Sequence, residues 1–423
     1  MSSATSLLIE TLGSHGEGLA EHEGRKVFVP FTLPGERVAA DIDGERGTLL
    51  RVEAPSPERI APICQHFGTC GGCALQHANP GLYTQFKRDQ VLHALNSRGF
   101  ADDVPVAALV PIAPGTRRRA SFAVSRGGDD LVLGYHQARS QALVNVEQCP
   151  VLRPSIVREL PSLRAMLMVA LARQGAAELH VTDTGNGLDV ALDGGGVEMN
   201  AKRRAALGAW MNAAPAMLRL SIDGEQIAAR AQPVISFSGH PVAMPARSFL
   251  QASSEAEAAM IGLIREGLGK LKKADRVVDL FAGLGAFSLA LAQHNEVRAV
   301  EWDASAVAAL TAAAGQPGLR KLEVLRRDLF REPLSARELE PFAAVVFDPP
   351  RAGAQAQAEA LAASSVRTVI AVSCNPATFA RDARALVDGG YRLEKVTPVD
   401  QFLYSAHVEL VAVFSKPKAR RVK

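Results

Sequence analysis

The run Arg276-Val-Val-Asp-Leu-Phe-Ala-Gly-Leu-Gly-Ala-Phe-Ser-Leu-Ala-Leu-Ala-Gln-His294 changes its periodicity in the middle. Arg276 to Phe281 is short, apolar and β-branched, which is how a strand buried on both faces reads. Ala282-Gly-Leu-Gly285 breaks it, and Phe287 to His294 carries a helical pattern. The alternation continues downstream. Strands are expected at Val297–Glu301, Lys321–Arg326, Phe342–Phe347 and Arg367–Val372, with an alanine-rich helix from Asp303 to Ala314. Strand and helix in regular alternation predict an α/β domain over 249–423, built as a doubly wound sheet. Two further β-runs, Tyr391–Val399 and His407–Phe414, are joined by one short connection and predict an antiparallel hairpin at the sheet edge.

The glycine turn is not the GxGxxG of dinucleotide sites, so its chemistry must be read from the strand ends. Glu301 closes the second strand about twenty residues on, where a carboxylate takes ribose hydroxyls. Asp328 follows the third strand, in position to meet an adenine. With Asp279 these carboxylates stand at successive strand ends, and no phosphate cradle accompanies them. That set fits S-adenosylmethionine better than NAD. Taken singly, each carboxylate reads equally as a helix cap or turn residue.

The fifth strand runs into Val372-Ser-Cys-Asn-Pro376, and Pro376 opens a helical pattern. Proline suits the first helical position because its missing N–H costs nothing there. Cys374 is thus expected at a strand-to-helix turn, near the positive end of a helix dipole, where a thiolate forms more easily. On position alone a buried structural cysteine is as good a reading.

At 423 residues the chain is too long for one core. A net charge of +3 and a pI near 8.6 permit a nucleic-acid partner without demanding one. The start shows no secretory signal and no apolar run is long enough to span a membrane, so a cytoplasmic protein is expected. Residues 1–57 alternate in short runs broken by glycines, and predict a five-stranded barrel of OB type. Of the five cysteines, Cys64, Cys70, Cys73 and Cys149 form a C-x5-C-x2-C set with one distant member beside Pro150. Four thiolates suit zinc or an iron–sulfur cluster, and spacing does not separate the two. The intervening glycines allow tight wrapping, which leans toward a multi-atom cluster.

In the α+β segment 58–248, Gly81–Gly99 reads as an amphipathic helix that can pack on the last domain, and Leu152–Gln174 as helical. Gly185-Asn-Gly187 and Gly194-Gly-Gly196 read as hairpin turns, and Lys202-Arg203-Arg204 as surface charge on a helix. Arg117-Arg118-Arg119 reads as a solvated face or, equally, as an RNA-phosphate contact. The basic tail Lys416–Lys423 is expected to be disordered and able to touch RNA backbone.

Several of these strings carry a resemblance. LGSHGEGLAEHEGRKVFVPFTLPGERV resembles the TRAM domain, an RNA-binding barrel. Asp348-Pro-Pro-Arg351, Ser373-Cys374-Asn-Pro376, His407-Val-Glu409, Phe249-Leu-Gln251 and the four-cysteine pattern together resemble the TRAM-bearing, iron–sulfur RNA uracil-C5-methyltransferases, over essentially the full chain. Ala286 stands where that family often has asparagine, and Leu403-Tyr404-Ser405 where a proline-containing turn is common.

The resemblance implies a Rossmann-like class I methyltransferase domain behind a TRAM barrel and a central iron–sulfur domain. It assigns Cys374 as nucleophile and Glu409 as base. Gln251, Phe281, Glu301, Asp328 and Asp348 are placed at S-adenosylmethionine, and Cys64, Cys70, Cys73 and Cys149 at a [4Fe-4S] cluster. Barrel plus cluster resembles the enzymes acting on 23S rRNA more than the bacterial tRNA enzymes. A monomer acting on RNA, with neither DNA nor a membrane as partner, is expected. The alternatives are a tRNA uracil-C5-methyltransferase and a non-catalytic RNA-binding or assembly protein. C5 of uracil is a weak nucleophile, and a thiolate added at C6 gives C5 the carbanion character needed to accept a methyl group. A base must then remove the C5 proton.

Overall fold

The computed structural model describes residues 4–100, 104–195 and 199–417. The expected basic tail lies outside the described residues beyond 417, and Lys416 itself is ordered, donating to the carbonyls of Ala362 and Ser364 at 2.8 and 3.0 Å.

The N-terminal barrel closes because its first strand bends. Thr5–Leu8 pairs with Arg37–Asp43, while Thr11–Leu12 pairs with Gly18–His22 on the opposite edge. At the bend, Ile9 N–H donates to Glu36 at 2.9 Å and Glu10 N–H to Leu19 at 2.8 Å. Counted as one bent strand, this gives the expected five, joined by Arg25–Val29 and Arg46–Ala54. Leu7, Ile9, Val27, Val29 and Val38 fill the interior.

The middle of the chain builds a seven-stranded sheet in the order Glu225–Ala229, Met217–Ile222, Leu188–Gly194, Gln174–Asp183, Arg119–Gly127, Asp130–His136, Leu143–Asn145. Helices Leu160–Ala170 and Ala201–Ala213 bring Leu163, Leu167, Leu207 and Met211 into one core with the sheet's Phe122, Leu179 and Leu220. Two expectations fail here. The helix expected over 152–174 is split into Pro154–Arg158 and Leu160–Ala170, and Gln174 already begins a strand. Leu188–Gly194 and Met217–Ile222 run parallel, so the chain crosses over through a helix instead of turning at Gly194. Gly185-Asn-Gly187 does join an antiparallel pair.

The last sheet has the order Leu322–Arg326, Glu296–Glu301, Arg276–Leu280, Ala344–Phe347, Thr368–Ser373, Glu409–Ser415, Arg392–Val399. Its first five strands are parallel. The hairpin is antiparallel as expected, but its second strand is inserted beside Thr368–Ser373, leaving Arg392–Val399 at the edge. This is the Rossmann-like methyltransferase order, and the insertion decides where the last strand's first residue falls.

Segments from earlier in the chain complete this domain. Helix Pro80–Asn96 buries Tyr83, Phe86, Val91 and Leu95 in the same core as Val396 and Val408. Val106 and Val110 bridge to Val396 and Val399, and hairpin Val234–Phe237/His240–Ala243 packs with Phe287 and Leu310 on the other face. Among the described residues no helix is long and apolar enough to cross a membrane.

Candidate active site

Strand ends of a parallel sheet present their side chains and their loops at one rim. Here that rim forms a cavity of about 1040 Å³, and Gln251, Phe281, Glu301, Asp328, Asp348, Cys374 and Glu409 all line it. The sheet register explains the last two. Ser373 pairs with Leu410 in antiparallel register, so the next residues outward, Cys374 and Glu409, sit side by side at the rim. Only the insertion of the final strand next to the fifth one makes them neighbours.

The glycine turn has a steric reason. Gly285 has φ 92°, and a Cβ there would lie 2.3 Å from Leu310 Cδ1, so any side chain would drive the turn off the helix behind it. Gly283 N–H donates to Glu301 Oε2 at 2.9 Å, while Trp302 and Asp303 N–H donate to Oε1 at 2.7 and 2.8 Å. The backbone thus holds the Glu301 carboxylate in place. Asp328 is held similarly, accepting from Phe330 N–H at 3.0 Å. Phe281 and Phe330 pack with ring centroids 5.5 Å apart, and the exposed rings of Phe249, Trp302 and Phe330 stand at the cavity mouth.

Deeper in, one chain of amides joins two carboxylates. Gln251 donates to Asp348 at 2.7 Å, and Gln401 donates to Gln251 at 2.8 Å and to Glu409 at 2.7 Å. Ala252 N–H donates to the Gln401 oxygen at 3.1 Å. The sequence reading missed Gln401. Its signal was only a polar residue following a buried strand end, and its partners come from a distant segment. Glu409 Oε1 is buried and has no hydrogen-bond partner among the described residues.

Burial governs the protonation of this cavity. It pushes Asp348 up to about 7 despite the Gln251 hydrogen bond. Glu409 rises well above the usual carboxylate range, through burial and then the charge of Asp348, with the Gln401 hydrogen bond opposing. Asp279 also rises to about 7 on burial, although Ser288 donates to it at 2.5 Å. The expectation of an easily formed thiolate is reversed. Burial, then Glu409 and Asp348, push Cys374 up to about 11, against a smaller opposing effect of Arg351. Burial is the largest cause, and the two neighbouring carboxylates add to it.

Arg117-Arg118-Arg119 is corrected as well. Arg118 is buried, donating to Glu257 at 2.6 Å and to the Gln251 carbonyl at 3.0 Å. Arg119 donates to the Leu250 carbonyl and lies 4.8 Å from the Phe249 ring. These arginines brace the segment that carries Gln251, so phosphate contact is not the role of Arg118. Lys202-Arg203-Arg204 does lie on a helix, where Arg204 pairs with Glu225 at 2.9 Å.

The fold also gathers the other four cysteines, all of them free thiols. Burial raises the pKa of Cys70, Cys73 and Cys149, and the charges of the other cysteines in the set raise each further, which places the four within electrostatic reach of one another. Among the described residues no group of three His, Cys, Asp or Glu side chains is arranged to hold a metal ion. A tetrahedral zinc and an iron–sulfur cubane alike draw four thiolates to one centre. Gly72 N–H points at Cys70 Sγ at 3.5 Å, and Val151 and Leu152 N–H at Cys149, as a thiolate ligand requires. A Cβ on Gly71 would lie 2.9 Å from the His136 carbonyl, so glycine lets this loop wrap against the central sheet.

Residues 242–417 match the family model of tRNA (Uracil-5-)-methyltransferase, and residues 5–51 match that of the TRAM domain. An uncharacterized RNA methyltransferase of Mesorhizobium japonicum is 46% identical over 414 residues, 98% of each chain. The 23S rRNA (uracil(1939)-C(5))-methyltransferase of Erwinia tasmaniensis is 32% identical, over 96% of this chain and 95% of that one. In structure the chain resembles the Pyrococcus abyssi tRNA (uracil-54, C5)-methyltransferase in complex with S-adenosyl-L-homocysteine. The TM-score is 0.72 at 22% identity, covering 97% of this chain and 99% of that one. With the insertion strand, the rim cavity and the barrel in place, the chain belongs to the tRNA (uracil-5-)-methyltransferase family of RNA methyltransferases, and carries a TRAM domain.

Proposed function

We propose that the protein methylates C5 of a uracil in 23S rRNA, using S-adenosylmethionine and a covalent Cys374 adduct. The observation that carries this reading is the side-by-side register of Cys374 and Glu409 in the cavity that also holds Asp348, Glu301 and Asp328. S-adenosylmethionine, when bound, supplies an electrophilic methyl group. The fit is electrostatic: a cavity whose carboxylates are held high by burial, and in Glu409 also by the charge of Asp348, suits a cationic ligand, which draws their pKa values down. Gln251, Phe281, Glu301, Asp328 and Asp348 would hold it.

The target base has to leave its stack to reach a cavity this deep. Cys374 first gives its proton to solvent; its thiolate Sγ then bonds to C6, and the C5–C6 electron pair displaced onto the uracil ring makes C5 nucleophilic. After C5 is methylated, Glu409 accepts the C5 proton, the C5–C6 double bond re-forms and Cys374 leaves as thiolate. A carboxylate with a raised pKa is suited to that acceptance near neutral pH.

Cys64, Cys70, Cys73 and Cys149 would hold a [4Fe-4S] cluster that ties the barrel-proximal loop to the central sheet; its role is structural. Protein purified without oxygen should be brown and contain iron and sulfide in near-equal amounts. Colourless protein with stoichiometric zinc would refute the cluster. For the activity, 5-methyluridine is mapped in RNA from cells with and without the gene. Loss of one site in 23S rRNA is expected, whereas loss from tRNA would reassign the substrate.

A further inference from the structure

We infer that a second cleft, between the barrel and the cysteine loop, is a recognition site for one unpaired guanine of the RNA. The inference rests on the RNA substrate proposed above. The cleft has a volume of about 740 Å³, in the range of small-ligand pockets. Phe28 and Phe31 of the barrel line it together with Gly71, Cys73 and Ala74 of the cysteine loop and with Arg139.

Glu17 makes this cleft more than a groove. It is 6% exposed, yet it lines the cleft. One carboxylate oxygen pairs with Arg139; the other, Oε2, is buried without a hydrogen-bond partner among the described residues. A buried acceptor left unpaired costs about 1–3 kcal/mol, more for a charged group, so a donor from outside is the natural completion. Two of the lining residues, Phe31 and Arg139, have left-handed backbones at φ 64° and 59°. Neither is glycine, and such strain concentrates where a side chain must be presented to a ligand.

A free carboxylate oxygen beside a guanidinium, with two phenylalanines in the same lining, matches one base edge best. Guanine alone offers two adjacent N–H donors, N1 and N2, next to the O6 acceptor. Splayed bases stacked on aromatic rings and read on this edge are the usual mode of single-stranded RNA recognition. The cleft also adjoins the catalytic cavity. Ala74 and Leu75 N–H donate to the Tyr404 carbonyl at 2.8 and 3.0 Å, in the loop leading to His407. His15 of the cleft lies within electrostatic reach of His407, which lines the catalytic cavity. One strand of RNA can therefore place its target uracil in one cavity and a nearby guanine in the other.

The test is binding of a short fluorescent oligouridylate carrying a single guanosine, compared with the same probe carrying inosine, which lacks the N2 amine, and with plain oligouridylate. The wild-type protein should bind the guanosine probe about tenfold more tightly than either control. In Glu17→Gln, Arg139 keeps the amide oxygen and turns the NH2 group into the cleft, so donor faces donor and the preference should vanish. Equal binding of guanosine and inosine probes by the wild type would overturn the inference, as would a guanosine preference that survives Glu17→Gln. The inosine comparison needs no variant, so a poorly folded Glu17→Gln leaves the test intact. Binding is read without methyl transfer. A failed guanosine preference therefore leaves uracil methylation standing, and a failed methylation assay leaves this site standing.

Discussion

Gln401 donates its side-chain N–H to the Glu409 carboxylate at 2.7 Å, and among the described residues that bond is the one hydrogen bond on the side chain of the proposed base. The Gln401 oxygen is pinned by Ala252 N–H, and its nitrogen also meets the Gln251 oxygen. The amide therefore has a fixed orientation, and Asp348 and Glu409 both receive donors from the same chain. Gln401 acts on the reaction through Glu409, as a positioning residue.

Gln401→Leu should leave Glu409 buried with no donor on either oxygen. Because the Gln401 bond lowers the pKa of Glu409, its loss raises that pKa further. Turnover needs the ionised base, so the acidic limb of the pH–rate profile should move to higher pH, with turnover at neutral pH falling about a hundredfold. RNA binding should be unchanged. A pH profile that keeps its acidic limb in place would show that Gln401 does not set the state of the base.

Lys87 and Asp400 form a buried pair at 3.1 Å, with side-chain exposures of 0% and 2%. The Tyr83 hydroxyl also donates to Asp400 at 2.6 Å, and Lys87 donates to the carbonyls of Phe402 and His407. Together these contacts fasten the loop containing Gln401 to helix Pro80–Asn96. Lys87→Met should destabilise by about 3–5 kcal/mol, because it strands a buried carboxylate. That corresponds to a fall in Tm of roughly 10 °C. Adding Asp400→Asn removes the stranded charge, so the double variant should melt above Lys87→Met. A double variant that melts lower would contradict this account of the loop.

Much of this site was legible because it lies at strand ends of a strongly periodic domain. Once the sheet is read, Glu301, Asp328 and Asp348 follow as rim residues, and Cys374 with them. What stayed hidden depends on contacts between remote segments. Gln401 matters only because Gln251 and Glu409 converge on it, and Lys87 reads as an ordinary helix-surface lysine until its helix is docked. Arg118 reads as a solvated charge or, equally, as an RNA-phosphate contact, yet it is buried against Glu257. The direction of the Cys374 shift was misread for the same reason. The helix terminus is a local feature of the sequence, while burial of the thiol and then the carboxylates of Glu409 and Asp348 come from the packing of other strands.

Asp279 gives a stability prediction with a defined sign. Its pKa is about 7 in the folded protein against 3.8 normally, so the folded state binds its proton more tightly. Its unfavourable contribution is therefore absent below about pH 4 and grows to as much as about 4 kcal/mol above pH 7. Asp279→Asn should raise Tm by several degrees at about pH 8 and much less at about pH 5, as read by calorimetry. An equal shift at both values would mean that the burial cost is not electrostatic.

The covalent route through Cys374 and Glu409 is tested most directly by incubating Glu409→Gln with S-adenosylmethionine and substrate RNA. If Glu409 acts only after methyl transfer, this variant should still attack C6 and still deliver the methyl group, then stall because the C5 proton has no acceptor. Denaturing electrophoresis should show a protein–RNA adduct carrying labelled methyl, and Cys374→Ala should form none. Normal turnover by Glu409→Gln, or C5 methylation by Cys374→Ala, would contradict the account.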